Sequence, residues 1–517
     1  MAESFKMSPC LCVLWAFFTA TIAVMFVVMP RYVDDFWYAE NIRPWIEGDA
    51  SGPPLAAIAE TWRFHYLTDN ARLPNVLIVP LLLLPKWVGS LPAALALGVA
   101  AMWLCAMTAR RTTLFTSAVA MLMMAYCLPW YDVMGSEDLH LNYQVTTLLA
   151  VWCVAVFLGR GGVAGVAGAF ALGLLTGAWH EGFSLPLVAG MGAACVLWPR
   201  YRCSRSLSLL AGLVVGLAWL LSCPAFFNRA AGAADIFTLG RVAFVAASHP
   251  AVILALALTM AALASSRRKQ MLANPLFVIL LVSAVASVGI QLVATRTPRT
   301  GWWGEFASIF IVVYFLRHLA ALRAAKAAAC LMLALAFLHQ GLADYYSFVI
   351  RHDFDRAIAN YRKPVPEPYF ADYVTEHEAP LAAWFAPDFN LFTSRVNRRM
   401  VKDYYHPDDS CEFDVIPEEL RTVTMQTGTA LGGNTGARVA DGHIFMPDPG
   451  VGCSGEFPAA IDYGLFTKSG VRVFYIPFTS QADGRRYLYL YPWRAIIEYR
   501  LGRPTAIYAD NTDFSII

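Results

Sequence analysis

Residues 10–40 read CLCVLWAFFTATIAVMFVVMPRYVDDFWYAE. The apolar part, 10–29, is long enough to cross a bilayer, because a spanning helix needs about 20 such residues. No small-residue cleavage site follows it, only Pro30, Arg31 and Tyr32, so we expect a retained membrane helix rather than a signal peptide. Two adjacent carboxylates, Asp34 and Asp35, follow shortly after its end.

The composition also indicates a membrane protein. Of the 517 residues, 58% are hydrophobic and only 15% are charged, whereas a soluble globular chain carries about 25% charged residues. Much of the surface therefore faces membrane lipid. The net charge is +2 and no Arg/Lys-rich tract with interleaved aromatics occurs, so we expect no nucleic-acid partner.

Apolar runs predict a mainly α-helical, polytopic membrane bundle of about eleven transmembrane helices within 1–340. After 10–29, these runs are 91–109, 113–129, 143–159, 163–178, 183–198, 207–222, 250–265, 275–294, 305–322 and 325–340. With the N-terminus in the cytoplasm, the inner loops contain Arg and Lys but no acid, and the outer loops hold nearly every Asp and Glu of this half. This segregation follows the positive-inside rule.

The first external loop, 30–90, is much longer than the other connections. Its apolar run 73–84 contains Pro80 and is too short to span a bilayer, which favours an interfacial or re-entrant segment. The stretch 54–66 is amphipathic. A loop of this length among short connections is usually functional.

From about residue 341 the composition becomes that of a soluble domain, so we divide the chain into 1–340 and 341–517. We expect an α+β domain on the extracytoplasmic side, with helices at 354–361 and 369–385 and strands at 471–476 and 487–491. If it is exported, Cys411 and Cys453 either form a disulfide or remain two thiols. The sequence does not decide whether this domain binds the acceptor, acts as a lid or contacts a partner.

Two of the outer loops carry paired acids. Asp34 and Asp35 can take a proton from a hydroxyl or orient one another for that purpose, or they can simply cap a helix. In the loop 131–143, Glu137 and Asp138 stand between two spans, either as a binding site for a hard cation or as part of a solvated loop.

The remaining candidates are basic residues and one His-Glu pair. His180 and Glu181 lie between two apolar runs, where ionisable groups are costly and functional by default, or they cap a helix end at the interface. Arg72, Arg296 and Arg299 lie on the outer side, against the general trend of the loops. A guanidinium suits phosphate binding, and an interfacial anchor is the alternative.

The order of these features resembles the start of the GT-C superfamily of membrane glycosyltransferases, such as the protein O-mannosyltransferases and the aminoarabinose transferases of lipid A. A first helix precedes Asp-Asp-x-x-Tyr-Ala-Glu at 34–40, and Asn70-Ala-Arg-Leu-Pro74, an interfacial run and a helix ending in Thr108-Ala-Arg-Arg111 follow. The chain is also similar to bacterial membrane proteins with an Asp-Asp-Phe/Tyr start and a later His-Glu pair. The resemblance covers chiefly 10–111 and does not extend to the C-terminal domain.

The resemblance implies a polyprenyl-phosphate sugar donor, a glycan, lipid or protein acceptor of the cell envelope, and inverting transfer at the periplasmic face of the bacterial inner membrane. Asp34 matches the catalytic base and Asp35 its partner acid, although many relatives have Glu at the second position. Arg72 lies in the loop where such enzymes place a basic residue near the donor phosphate. Since some of them carry acidic metal ligands in the second external loop, Glu137 and Asp138 imply a divalent cation, Mg²⁺ or Mn²⁺.

Two other functional classes remain open. A non-catalytic transporter or flippase of lipid-linked glycans would share the membrane bundle, but such proteins usually contain two related halves, and we find no internal repeat. A ligase or polymerase acting on diphosphate-linked glycans would share the lipid and the membrane face, but not the acidic pair in the first loop.

The charge pattern makes a testable prediction of topology. Reporter fusions at Arg110, Arg202 and Arg268 should report the cytoplasm, and fusions at Asp49, Ala231 and Tyr369 should report the opposite side, because positively charged loops are retained inside. Paired alkaline phosphatase and fluorescent-protein fusions at each site measure this. A cytoplasmic Tyr369 would contradict both the predicted parity and an extracytoplasmic site.

Overall fold

The structure is a computed structural model that describes residues 7–31, 34–47, 50–109, 111–130, 133–162, 165–225, 238–265, 268–294 and 297–361, and the C-terminal strands given below. The chain forms two compact units. The described part of the first unit ends at Ser347, and the second unit begins at Phe348.

The described part of the first unit is built from helices, the last of which continues into the second unit from Phe348. In chain order they are α1 Pro9–Val28, α2 Asp34–Ala39, α3 Arg43–Glu47, α4 Leu55–Thr68, α5 Pro74–Leu82, α6 Trp87–Ala109, α7 Leu114–Cys127, α8 Glu137–Phe157, α9 Gly165–Gly177, α10 Glu181–Leu197, α11 Ser204–Leu221, α12 Leu239–Ser248, α13 Pro250–Leu263, α14 Arg268–Leu272, α15 Pro275–Ala294, α16 Trp302–Leu316 and α17 Ala325–Tyr361. Helix α8 contains a π-helical turn at His140–Val145, and a 3₁₀ turn at Pro298–Gly301 precedes α16.

The predicted membrane bundle is confirmed. Among the described residues, 7 helices are long and apolar enough to cross a membrane, and an eighth span results if α12 and α13, which meet at 92°, are counted together. Three shorter apolar helices, α7, α9 and α10, occupy the other predicted runs within that part of the chain. The chain is therefore a multi-pass, membrane-embedded, mainly helical protein.

Helices α9 and α11 pack with their backbones in direct contact. A methyl group at Gly212 would collide with the carbonyl oxygen of Phe170, and one at Gly177 would meet the carbonyl of Leu213. Gly173 and Gly216 are equally close to the facing backbone. Small residues four positions apart on both helices allow this approach, which is how helices associate in lipid without a hydrophobic driving force between them.

The long first loop folds into a packed layer of short helices. α5 has 9 residues and is too short to cross a membrane, in agreement with the prediction for 73–84, and α4 covers the amphipathic stretch. Apolar side chains of these helices form one hydrophobic cluster that includes Tyr38 of α2, Ile58 of α4, Ile78 of α5 and Leu141 of α8. The loop is thus fixed against the start of α8.

Loops that the charge pattern assigns to one side meet at one end of the bundle. The first loop contacts the α9–α10 connection through the Leu73 amide, which donates to the Ala178 carbonyl at 3.0 Å. On the other side, the Arg317 guanidinium donates to the Thr108 carbonyl at 2.8 Å, which joins the ends of α16 and α6. Each of these two contacts joins loops that the charge pattern assigns to the same side, and the orientation in the membrane stays a prediction.

Helix α17 differs from the prediction, which ended the last span at 340. It continues to Tyr361, because Gly341 is tolerated inside the helix, where open space surrounds it, and no proline follows before Pro364. The predicted helix at 354–361 is the end of this same helix.

Apart from the end of α17 at 348–361, the described part of the second unit consists of two antiparallel sheets. The first has the order β1 Thr429–Ala430, β2 Arg438–Ala440, β3 His443–Phe445 and β4 Phe457–Pro458, and the second has β5 Ile461–Tyr463, β6 Val473–Thr479, β7 Arg486–Tyr491, β8 Ala495–Arg500 and β9 Arg503–Ala509. Strands β6 and β7 confirm the two predicted strands and pair with Ile476 opposite Tyr489. The predicted helix 369–385 and Cys411 and Cys453 lie outside the described residues.

The α9–α11 contact predicts a sharp difference between two glycines. Gly212→Ala should destabilise the bundle by about 1–3 kcal/mol, because the added methyl group forces two backbones apart. Gly192→Ala on α10 is the matched control, since open space surrounds that position. Melting temperatures in the same detergent measure both variants, and equal values would contradict the close packing.

Candidate active site

Asp34 and Asp35 begin α2 but point to different surroundings. Asp35 is buried, at 1% exposure. Its carboxylate accepts hydrogen bonds from the Ser136 hydroxyl at 2.8 Å and from the amides of Glu137 at 2.8 Å and Asp138 at 2.9 Å. Burial raises the pKa of Asp35, and the bonds from these backbone amides counteract this rise. Asp35 therefore caps the N-terminus of α8 and joins the first external loop to the second.

Glu137, predicted as a metal ligand, forms an ion pair instead. Its carboxylate accepts from Arg31 Nε at 2.6 Å, and Arg31 also donates to the carbonyls of Leu82 at 2.9 Å and Leu84 at 2.6 Å. Lys86 reinforces the junction by donating to the Gly135 carbonyl at 2.6 Å and to the carbonyls before Arg31. These two cations hold the ends of α1 and α5 against the start of α8.

Asp138 is buried at 4% exposure one residue further along α8. The Asn142 amide donates to its side-chain oxygen at 2.8 Å and to its carbonyl at 3.0 Å, across the π-helical turn. The charges that act on Asp138 are those of Asp34, Asp35, Arg72 and Arg299. Carboxylates and guanidinium groups from separate loops thus gather around it.

The resemblance implies a divalent cation beside Glu137 and Asp138. Among the described residues, no three His, Cys, Asp or Glu side chains stand together in a way that could hold a metal ion. Asp35 accepts three hydrogen bonds, and Glu137 Oε2 is paired with Arg31, which leaves only Glu137 Oε1 of these carboxylate oxygens without a hydrogen-bond partner in the described part of the structure. The residues present do not fit the cation, which stays a prediction from the resemblance alone.

Arg72 binds Glu181 through two parallel hydrogen bonds. Its Nε donates to Oε2 at 2.9 Å, and its Nη2 donates to Oε1. Burial works against the charge of Arg72, but the facing carboxylate of Glu181 keeps its pKa above the ordinary value. The Trp219 indole holds this loop by donating to the Ala71 carbonyl at 3.2 Å. Arg72 is thus fixed inside the protein and does not extend to the interface as a snorkelling anchor would.

His180 is a buried, neutral hydrogen-bond donor. Its Nδ1 accepts from the Gly182 amide at 2.9 Å, so the proton is assigned to Nε2. Burial, together with the charge of Arg72, lowers the pKa of His180 to about 3. Within the described residues its buried Nε2 has no hydrogen-bond partner. A buried donor without a partner costs about 1–3 kcal/mol, so this atom is a ready contact for a polar ligand.

Arg299 lies in the 3₁₀ turn before α16 and reaches Asp34. Its Nη2 is 3.4 Å from Asp34 Oδ2, and the two side chains are 23% and 25% exposed. Trp302 and Trp303 beside it are fully buried, and the Trp302 indole donates to the Thr147 hydroxyl at 3.1 Å. These tryptophans lie in the bundle core and not in an interfacial belt. Arg296 lies outside the described residues.

Tyr38 is the tyrosine of the Asp-Asp-x-x-Tyr-Ala-Glu motif, and no role was predicted for it from the sequence. It lies four residues after Asp34, one helical turn along α2, and its hydroxyl donates to the Asn75 side-chain oxygen at 3.0 Å. Burial and the carboxylates of Asp138 and Asp34 raise the pKa of Tyr38 well above its usual value, while Arg72 lowers it. The i, i+4 spacing from Asp34 was the available signal that Tyr38 faces the same cluster.

Six of the predicted residues therefore come together from four loops of the bundle. They are Asp34, Arg72, Asp138, His180, Glu181 and Arg299. A small cavity of about 20 Å³ opens beside Glu181 and is also lined by Asp69, Asn70 and Leu220. The group combines two guanidinium groups, three carboxyl groups and a neutral imidazole donor, which can bind an anion and accept a proton from a hydroxyl.

Comparisons with known proteins are sparse. No protein-family model and no curated protein matches the chain. Among solved structures it is similar to the crystal structure of ArnT from Cupriavidus metallidurans bound to undecaprenyl phosphate, with 15% sequence identity over 81% of this chain and 83% of that chain and a TM-score of 0.35. At this identity and TM-score, the similarity supports no argument about activity.

The pKa of His180 predicts a pH effect on stability. Because the folded protein lowers this pKa from 6.5 to about 3, the unfolded chain binds more protons between these pH values, and stability falls as pH falls through this window. His180→Gln should weaken that dependence, since glutamine does not titrate. Melting temperatures of both proteins from pH 7 to pH 4 measure the difference, and parallel curves would contradict the assignment.

Proposed function

We propose that this protein is a GT-C-type glycosyltransferase that transfers a sugar from a polyprenyl-phosphate donor to a cell-envelope glycan, lipid or protein. The observation that carries the proposal is the arrangement of Asp34 beside Arg299, at 3.4 Å, with Arg72 and His180 in the same cluster. A base and two phosphate-binding side chains at one end of a membrane bundle suit a reaction on a lipid-linked phosphate.

Arg72, Arg299 and His180 are the proposed contacts of the donor phosphate. Both arginines are half-buried and paired with a carboxylate, so their guanidinium groups are held in place without substrate. A phosphate can replace the carboxylate partners, because a guanidinium binds either anion through the same planar fork of donors. The Nε2 proton of neutral His180 adds a donor without adding another charge to the site.

Asp34 is the proposed general base, and Arg299 controls access to it. In the structure Arg299 Nη2 lies 3.4 Å from Asp34 Oδ2, so Arg299 occupies one side of the carboxylate. When Arg299 turns to the donor phosphate, that side of Asp34 becomes free to meet the acceptor hydroxyl. Donor binding and access to the base are thereby linked through a single side chain.

The proposed reaction is one direct displacement. Asp34 takes the proton of the acceptor hydroxyl, and the acceptor oxygen forms a bond to the anomeric carbon of the sugar. The bond between that carbon and the phosphate oxygen breaks, and polyprenyl phosphate leaves with the electron pair. Arg72 and Arg299 stabilise the charge that develops on the leaving phosphate. Attack opposite the leaving group inverts the anomeric centre.

We further propose that the site faces the periplasm of a bacterial inner membrane, with the unit after 340 on the same side. The segregation of Arg and Lys from Asp and Glu in the loops supports this orientation. A transporter of lipid-linked glycans would use the same lipid but would need no base. Incubation of purified protein with a radiolabelled polyprenyl-phosphate sugar distinguishes the two, because only the enzyme separates the sugar from the lipid.

The two acids of the motif should respond differently to substitution. Asp34→Asn removes the base, so turnover should fall about 10²–10⁴-fold, while donor affinity should stay equal or increase because Arg299 loses its competing partner. Asp35→Asn should instead lower the melting temperature, since an amide cannot accept all three hydrogen bonds that Asp35 receives. Glu60→Gln, an exposed position in the same loop, is the control. Full turnover by Asp34→Asn would exclude it as the base.

A further inference from the structure

A second buried polar group lies next to the candidate site and has no part in the proposed chemistry. His249, Gln291 and Glu305 come from three different helical segments, and their exposures are 1%, 0% and 0%. His249 stands at the break where α12 and α13 meet at 92°. Burying three such polar groups inside a membrane bundle costs free energy, so we expect them to have a structural or functional role.

Glu305 stabilises the break between the helices. Its carboxylate accepts from the amides of Ala251 at 2.7 Å and Val252 at 3.2 Å, the first turn of α13. These amides have no acceptor within their own helix, and the helix dipole favours a negative charge at that end. His249 Nδ1 lies 3.6 Å from the same carboxylate. The start of α13 is therefore fixed to α16.

Gln291 connects this junction to the turn that carries Arg299. Its amide nitrogen donates to the Thr297 carbonyl at 3.1 Å, which leaves its oxygen as the acceptor for His249 Nε2. The direction of both hydrogen bonds is thus set. Arg241 of α12 adds a contact by donating to the Gln291 carbonyl at 3.4 Å.

The other end of the turn rests on the same two side chains. A methyl group at Gly301 would collide with the His249 ring and would lie 2.8 Å from the Gln291 side-chain oxygen. Gly301 has φ near −87°, so it is needed here for close approach and not for its backbone conformation. Thr297 and Gly301 flank Arg299 on both sides: Gln291 binds the Thr297 carbonyl, and Gly301 packs closely against His249 and Gln291.

We propose that His249, Gln291 and Glu305 are positioning residues that hold Arg299 in place for the anion it binds. This inference rests on the proposed role of Arg299 in donor binding. The network never touches the phosphate. It fixes the short turn from both ends, so that the guanidinium lies beside Asp34 before the donor arrives. Preorganisation of this kind matters because a shift of about 1 Å in a binding group can cost about 10²-fold.

The test uses the purified full-length protein and measures affinity for polyprenyl phosphate in detergent micelles. His249→Leu and Gly301→Ala should each weaken binding about 10–100-fold. His249→Gln supplies a side-chain N–H donor in place of the imidazole N–H, so it should retain most of the affinity. Gly289→Ala is the control and should match wild type, because open space surrounds that glycine. If His249→Leu does not fold, Gly301→Ala still tests whether this turn must be held in place.

A double-mutant cycle shows whether the network acts through Arg299. In an Arg299→Ala background, His249→Leu and Gly301→Ala should cause no further loss, whereas additive losses would overturn the proposal. Hydrogen exchange of the 297–301 amides without ligand should rise in both variants, and unchanged exchange would also overturn it. If wild type binds no polyprenyl phosphate, the proposed function fails, and the exchange measurement still decides whether the network holds the turn.

Discussion

The candidate site depends on the hydrogen bonds that Asp35 accepts from the start of α8. A buried carboxylate is costly unless its lone pairs are satisfied, and here the Ser136 hydroxyl and two backbone amides satisfy them. The same bonds satisfy amides at the helix start that would otherwise lack acceptors. Asp34 is thereby fixed near Asp138 and Arg299, although each comes from a different loop. The two carboxylates of the acidic pair therefore have different roles: Asp35 joins the loops that form the site, and Asp34 faces the site.

Three ion pairs hold charges of the candidate site and its surroundings. Arg72 faces Glu181, Arg299 faces Asp34, and Arg31 faces Glu137. Removing one partner from a buried pair leaves an uncompensated charge and is strongly destabilising. A phosphate that replaces Asp34 keeps the Arg299 guanidinium paired, and the Asp34 side chain that it releases is 25% exposed, so water can solvate it. The site can therefore be stable when empty and still exchange its anionic partner.

The sequence predicted the bundle well because hydropathy directly measures transfer of a segment into lipid. The helices α1, α6 and α15 can be predicted from hydropathy alone. The sequence also singled out Asp34, Arg72, His180 and Arg299 as candidates, since charged groups near membrane depth are rare, and these side chains lie in one cluster of the structure. It did not predict that Asp35 caps α8, that Arg31 pairs with Glu137, or that Trp302 is buried. Those outcomes depend on how each helix is rotated and which loops meet, and neither is encoded in a local pattern. Gln291 was missed for the same reason: it lies within an apolar run, where a single amide hardly changes the hydropathy.

Some buried polar atoms of this cluster are satisfied by the protein, whereas others, including Glu137 Oε1 and His249 Nδ1, lack a hydrogen-bond partner within the described residues. Asp35 and Glu305 have their oxygens occupied by backbone amides, so they contribute to folding. His180 Nε2 and Asn142 Oδ1 are buried and, within the described residues, lack a hydrogen-bond partner. Each such atom costs about 1–3 kcal/mol, a loss that a bound polar group can recover. The bundle thus gives up stability beside Arg72 and Asp138, where a ligand would restore it.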